Sequence, residues 1–227
     1  MGLRALWFLL ASGGCFLALS GSPLKARELA ETATPQSAQD LRAIEKRVQK
    51  ILPVIKRATV AVIGDGSGSG IIVSRSGLVL TAGHVCGEKG TSLVVVLSTG
   101  RPVKATSLGR LERADAGLVQ LKKGRYPFAR VRPVKDEVAV GTWCLALGHP
   151  GGYDPGRGAI LRLGRLISMS KNTLRSDCKL VGGDSGGPLF DLGGRVVAIH
   201  SRISRAPDQN FHVPLATFRA KWPQLMP

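Results

Sequence analysis

A serine stands among glycines in Val181-Gly182-Gly183-Asp184-Ser185-Gly186-Gly187-Pro188-Leu189-Phe190, just before an apolar run that reads as a strand. Glycine lets a backbone approach a substrate closely and adopt conformations in which neighbouring N–H groups converge. The amides of Gly183 and Ser185 would then form an oxyanion hole, where loss of one donor typically costs about 3–4 kcal/mol of transition-state stabilisation. A serine hydroxyl is a weak nucleophile at neutral pH and needs a base within hydrogen-bond reach, most often histidine. His84 ends the apolar stretch Leu78-Val79-Leu80-Thr81-Ala82-Gly83-His84, where the core would hold an imidazole and leave one side open. That base needs an acceptor to fix its tautomer and stabilise the imidazolium. Asp115 suits the role, because the small residues around it in Arg113-Ala114-Asp115-Ala116-Gly117 would let it be buried beside His84. Each signal alone has a plainer reading: a glycine-rich turn, a structural histidine, an aspartate capping a turn. Taken together in the order His, Asp, Ser, they point to acyl transfer. His149, His200 and His212 sit in strand or strand-end contexts and read as structural imidazoles.

The elements that must position these groups are short. Runs at Thr59–Ile63, Ile71–Ser74, Leu78–Ala82, Leu93–Leu97, Leu118–Leu121, Val138–Val140 and Trp143–Leu147 are aliphatic and β-branched. Ile160–Ile167, Pro188–Phe190 and Arg195–Ser201 continue the series. Turns separate them at Arg75-Ser76-Gly77, Ser98-Thr99-Gly100 and Leu192-Gly193-Gly194, and no 10- to 15-residue helical pattern lies between Thr59 and Phe211. The pattern predicts an all-β barrel or sandwich. Ahead of it, Ser37 with Asp40 resembles a capping box, and Leu41, Ile44, Val48, Ile51, Leu52 and Ile55 recur at helical spacing, so a helix is expected over 37–57. Pro53 should end or kink it.

The chain has 227 residues, 44% apolar and 21% charged, which suits a globular domain rather than a disordered or fibrous chain. Arg4 and the apolar run Ala5–Leu19, closed by Ala18-Leu19-Ser20, read as a secretory signal over residues 1–20, with retention as an anchor the alternative. Residues 21–36 read as a linker. Export would remove Cys15 and leave Cys86, Cys144 and Cys178, enough for one bridge at most, with buried free thiols the other reading. Wide spacing without C-x-x-C gives no metal site. The net charge of +17 suits an anionic polymer, an acidic substrate or a membrane surface. Nucleic-acid recognition is disfavoured by an aromatic content of 5%. No pattern sets an oligomeric state.

T-A-G-H-V, D-A-G-L-V-Q-L and G-D-S-G-G-P-L resemble the three signature segments of the trypsin-like serine proteases. Gly66–Val85, Leu145–Gly152, Ser176–Cys178 and Asn210–Pro214 are further similar to segments of the Deg/HtrA-type branch. The resemblance implies an all-β fold of two antiparallel β-barrels, at about 58–133 and 134–214 within a 58–227 domain, with an N-terminal helix and a short C-terminal one. It places His84, Asp115 and Ser185 in the cleft between the barrels, with Gly183 and Ser185 as the oxyanion hole and no cofactor. It assigns Lys179, Leu180 and residues 201–204, Ser201 and Arg202 among them, to the primary pocket, and Ile199, His200 and Ser201 to the strand that pairs with substrate. Leu180 would favour a small or medium apolar side chain, and Lys179 and Arg202 an acidic one.

Two departures stand out. Asp184 replaces the branch's usual Asn, with no R-I-V-G-G activation site to neutralise it, so it needs another cation or backbone donors. The 42 residues after Ser185 leave no room for a PDZ module. The reading is an exported, periplasmic or secreted, serine endopeptidase acting on proteins or peptides, with envelope quality control as its setting. The alternative is an inert protease-fold protein that binds anionic polymers or partners.

Overall fold

The computed structural model describes residues 33–133, 136, 138–203 and 210–222. The expected signal segment therefore lies outside the described residues, as does most of the linker. Helix α1, Ala38–Ala58, begins at the capping box: Asp40 N donates to Ser37 Oγ at 3.2 Å, and the Asp40 carboxylate accepts from the Ser37 amide at 3.0 Å. It runs through Pro53, close to the expected 37–57 span, so the proline does not end it. Pro53 lies on the exposed face, so the carbonyl that loses its donor can be hydrated. The opposite face, Ile44, Val48, Ile51, Leu52 and Ile55, packs onto the same apolar cluster as Leu192, Val196 and Phe218.

Two closed six-stranded barrels follow. In barrel 1 the order is β1-β2-β3-β6-β5-β4, from β1 (Thr59–Ile63), β2 (Ser67–Ile72), β3 (Leu78–Ala82), β4 (Ser92–Val96), β5 (Pro102–Leu111) and β6 (Ala116–Leu121). Barrel 2 repeats it as β7-β8-β9-β12-β11-β10, from β7 (Trp143–Gly148), β8 (Ile160–Met169), β9 (Leu174–Ser176), β10 (Pro188–Asp191), β11 (Val196–Ile203) and β12 (Asn210–Pro214). A short helix α2 (Gly83–Cys86) leaves β3, and α3 (Leu215–Lys221) closes the described chain.

The strands read as continuous apolar runs because both faces are covered. In β3, Val79 joins the interior of barrel 1 with Val60 and Val95. Its neighbours Leu78 and Leu80 join a cluster between the barrels, with Ile71 and Leu118 from one side and Leu145, Leu147, Phe190 and Ile199 from the other. Each such side chain, fully buried, contributes roughly 1.5–3 kcal/mol.

β5 escapes the run-based reading because it alternates: Val103, Ala105 and Ser107 are buried between exposed Pro102, Lys104 and Thr106, and only the first is a sizeable aliphatic. β2 starts earlier than expected, in the glycines. A Cβ on Gly68 would fall 2.9 Å from the Ser185 carbonyl, so the approach of the other barrel demands glycine there. Val138–Val140 forms no strand; a turn closed by Thr142 N to Ala139 O at 3.1 Å takes its place, with Val140 56% exposed. No helix among the described residues is long and apolar enough to cross a membrane.

Candidate active site

His84 sits on α2 and Asp115 in the turn between β5 and β6, two strand ends that the β3–β6 ladder brings together through Ala82 opposite Ala116. Four hydrogen bonds join them. Gly83 N donates to Asp115 O at 3.0 Å and His84 N to Asp115 Oδ1 at 3.0 Å. The ring Nδ1 lies 2.9 Å from Oδ1 and 3.1 Å from Oδ2. Asp115 holds a φ of 54°, in the left-handed region that Asp tolerates better than most residues. Ser201 Oγ donates to Asp115 Oδ2 at 2.6 Å.

Burial alone would raise the Asp115 pKa, but hydrogen bonds from His84 and Ser201 outweigh it, and the carboxyl is held below its usual range. The bond to Asp115 raises His84 above its ordinary value of 6.5, against the opposing effect of partial burial. The imidazole side chain stays 53% exposed, so its far edge is open to a ligand.

Ser185 comes from barrel 2 on a loop pinned by barrel 1. Ser69 N donates to Ser185 O at 2.7 Å, and Ser69 Oγ donates to Gly183 O at 2.8 Å. The same Ser69 Oγ accepts from His149 N at 2.8 Å, and Thr81 Oγ1 donates to Ser69 O at 2.7 Å. Gly183 has φ 92°, and a Cβ there would lie 2.4 Å from His149 O, so no other residue fits. Among the described residues, the amides of Gly183 and Ser185 donate to no protein acceptor.

Asp184 finds both kinds of partner that its burial requires. Arg162 Nη1 lies 2.8 Å from Oδ1, and Val181 N donates to Oδ2 at 2.9 Å, with the carboxylate side chain 1% exposed. The Ser185 hydroxyl donates to Ser201 O at 3.4 Å; among the described residues no hydrogen bond joins it to His84. Ser201 thus touches two of the three groups, Asp115 through its hydroxyl and Ser185 through its carbonyl.

The residues assigned to substrate divide. Lys179 and Arg202 are exposed. Arg202 lines a cavity of about 240 Å³ with Arg113, Ser201 and Phe211. Leu180, 6% exposed, packs in one apolar cluster with Cys178 and Ala198. His200 is tied to the nucleophile loop. Its N donates to Gly187 O at 2.8 Å and its O accepts from Gly186 N at 2.7 Å. Its ring is buried, with Nδ1 3.0 Å from His212 Nδ1. Both backbone groups therefore brace the nucleophile loop.

Burial drives His200 well below its ordinary pKa and His212 down to about 3, so both rings are neutral. His149 is likewise pushed down to about 4, chiefly by burial. Ser69 and Arg162 went unnoticed in the sequence, where G-S-G-S-G and a basic strand residue carry no distinguishing mark. Among the described residues, no group of His, Cys, Asp or Glu could hold a metal ion.

A family model described as a trypsin-like peptidase domain matches residues 68–199. A probable periplasmic serine endoprotease, DegP-like, from Ectopseudomonas mendocina (strain ymp) is 31% identical over 189 residues, 82% of this chain and 36% of that protein. Its counterpart in Pseudomonas fulva (strain 12-X) is 34% identical over 140 residues, 60% of this chain and 29% of that one. The chain thus spans about a third of the length of these relatives. The crystal structure of the serine endoprotease from Yersinia pestis superposes with a TM-score of 0.68 at 22% identity, covering 85% of this chain and 68% of that one. An HtrA-type protease, AlgW with tripeptide, gives 0.65 at 24% identity, covering 79% and 62%. At such identity these two structures establish likeness of fold. The matched segment takes in more than half of the sequence, strands of both barrels and the His84, Asp115 and Ser185 positions, and the chain belongs to the trypsin-like peptidase domain family.

Proposed function

We propose that the chain is an exported serine endopeptidase that cleaves peptide bonds through an acyl-enzyme on Ser185. The observation that carries this reading is the His84–Asp115 pair, tied at 2.9 Å and sharing Ser201 with the Ser185 hydroxyl. Rotation about the Ser185 side chain redirects Oγ from the Ser201 carbonyl toward His84 Nε2; catalytic hydrogen bonds often tighten only when substrate is bound.

Oγ then attacks the scissile carbonyl carbon while His84 takes its proton. The resulting oxyanion is met by the Gly183 and Ser185 amides. His84 passes the proton to the leaving amine, and the acyl-enzyme forms. Water, deprotonated by the same imidazole, attacks the ester and frees Ser185. Asp115 holds Nδ1–H throughout and stabilises the imidazolium. No step calls on a cofactor.

The DegP-like relatives named periplasmic support an envelope setting and protein substrates, and residues 1–20 supply a leader for export. Arg113 and Arg202 beside Ser201 favour acidic side chains in the bound peptide. The second reading, an inert binder of anionic polymers, is favoured by the Ser185 hydroxyl's bond to Ser201 rather than to His84.

Digestion of an unfolded protein separates the two readings. Wild type should fragment it, and Ser185→Ala should lose about 10⁴-fold or more in rate while keeping the wild-type circular dichroism spectrum. A folded wild type that leaves the substrate intact, with or without an acidic activating peptide, would favour the binder. N-terminal sequencing of the secreted protein should begin near Gly21, and an intact Met1 would contradict leader cleavage.

A further inference from the structure

Cys144 lies on β7 and Cys178 two residues beyond the end of β9, with their Sγ atoms 3.7 Å apart inside barrel 2. Each residue is 1% exposed. The ladder explains how two thiols come to face each other there. Cys144 stands opposite Gly164 on β8, and a Cβ at 164 would fall 2.7 Å from Cys178 Sγ. The missing side chain is the space through which Cys178 reaches Cys144.

The backbone around Cys178 is fixed from several sides. Arg165 N donates to Asp177 Oδ1 at 2.6 Å, Cys178 N to Ser176 Oγ at 3.3 Å, and Asn210 Nδ2 to Cys178 O at 2.8 Å. The third described thiol, Cys86, is in barrel 1, with its Sγ 3.6 Å from Gly83 O and 3.4 Å from Gly87 O.

We propose that Cys144 and Cys178 are joined by a disulfide in the mature protein, a covalent clamp on the segment that leads into the nucleophile loop. Two sulfurs at 3.7 Å are in van der Waals contact. A bond needs about 2.05 Å, which is reached by turning both Cβ–Sγ arms. The proposal rests on the export reading, since such bonds form and persist in oxidising compartments.

The oxidant is a protein or small-molecule disulfide. The Cys178 thiolate attacks one of its sulfurs, forming a mixed disulfide and releasing one thiol. The Cys144 thiol then gives up its proton and displaces the second thiol from Cys178. Two electrons and two protons pass to the oxidant, and one S–S bond forms in the chain. The balance is the same whichever of the two thiolates attacks first. Since both thiols are buried once the barrel closes, the exchange belongs to folding.

The position of the clamp gives it a consequence. Leu189, after the loop, pairs with Ala146 of β7, and Asp191 pairs with Cys144 itself. A bond from Cys178 to Cys144 would therefore attach both ends of the 178–189 segment to one strand. That segment carries Gly183, Asp184 and Ser185.

The test uses the full chain, exported through its own leader in one arm and refolded with reduced and oxidised glutathione in the other. After acid quench, unfolding and alkylation, intact mass and peptide mapping should show a species two hydrogens lighter than reduced protein. Its linked peptides should contain Cys144 and Cys178, with Cys86 alkylated, and Cys15 too wherever the leader is retained. Cys86→Ser should keep the link and Cys144→Ser should lose it. Reduction should lower the melting temperature of wild type by roughly 5–15 °C and leave the Cys144→Ser/Cys178→Ser double variant unmoved. Alkylation of all three cysteines in both arms, or a link to Cys86, would overturn the proposal. Mass is independent of peptide cleavage, so failure of the protease reading would leave this result standing. The glutathione arm likewise stands apart from export.

Discussion

The two barrels share one strand order but hold their parts of the site differently. Barrel 1 supplies both His84 and Asp115 and joins them through backbone and side-chain hydrogen bonds between neighbouring strand ends, to which barrel 2 adds the Ser201 hydroxyl on Asp115 Oδ2. Barrel 2 presents Ser185 on a loop whose carbonyls at 183 and 185 are fixed by Ser69 of the other barrel, and whose Asp184 is neutralised by Arg162. The base and its acceptor are therefore preassembled, whereas the nucleophile's placement depends on how the barrels dock and on one buried ion pair. Damage to the first half should strike chemistry with little loss of fold. Damage to the second should cost both.

Asp115→Asn is the strongest test of the first half. It leaves the geometry nearly isosteric but loses the carboxylate that selects the tautomer, and kcat should fall about 10⁴-fold, near 5 kcal/mol of barrel-1 chemistry, with small change in melting temperature. A comparable fall in stability would mean that the pair is structural.

The pH profile sharpens the same point. Because the folded-state pKa of His84 is raised above 6.5, the neutral base is lost on acidification at a pH above the ordinary histidine value, and the acid limb of kcat/KM lies there. Asp115→Asn should move that limb toward lower pH. The sign for stability is opposite: the His84–Asp115 contribution is full below pH 6.5 and is lost as pH rises through the raised folded value.

In the second half, Arg162→Ala strands the Asp184 carboxylate beneath the nucleophile loop. Stability should drop by about 3–5 kcal/mol in denaturant unfolding, with activity falling alongside. Asp184→Asn in that background should recover part of both. Recovery of neither would show that the ion pair is not what holds the loop.

Ser69→Ala should have a smaller effect, about 1–3 kcal/mol, since it removes the donor to Gly183 O and the acceptor for His149 N in one change. The loss should appear in kcat more than in KM. An unchanged kcat would remove Ser69 from the support of the oxyanion hole.

The same contrast governs what could be read from the sequence. The His84 and Asp115 segments announce themselves because each is a strand end with small neighbours, a local feature. The capping box at Ser37 and the turns at Gly77, Gly100 and Gly194 are local too, and the structure bears them out. The need of Asp184 for a partner followed from the cost of burying a charge, but the identity of that partner did not. Arg162 lies on β8, and only the folded barrel brings it within 2.8 Å. β5 was hidden because, after Val103, its inward face is Ala105 and Ser107 rather than large aliphatics. The tie between His200 and the nucleophile loop was hidden because its backbone bonds run to Gly186 and Gly187, 13 or more residues away in sequence, and no one-dimensional pattern shows them.

The central claim is that the Ser185 hydroxyl is activated by His84 and Asp115 across the seam of the barrels. Incubation of the folded protein with a fluorophosphonate, followed by peptide mapping, tests it most directly. The account predicts one stoichiometric phosphonyl adduct, on Ser185, absent from His84→Ala at equal exposure. An adduct on another residue, or labelling of Ser185 that proceeds at the same rate without His84, would contradict it.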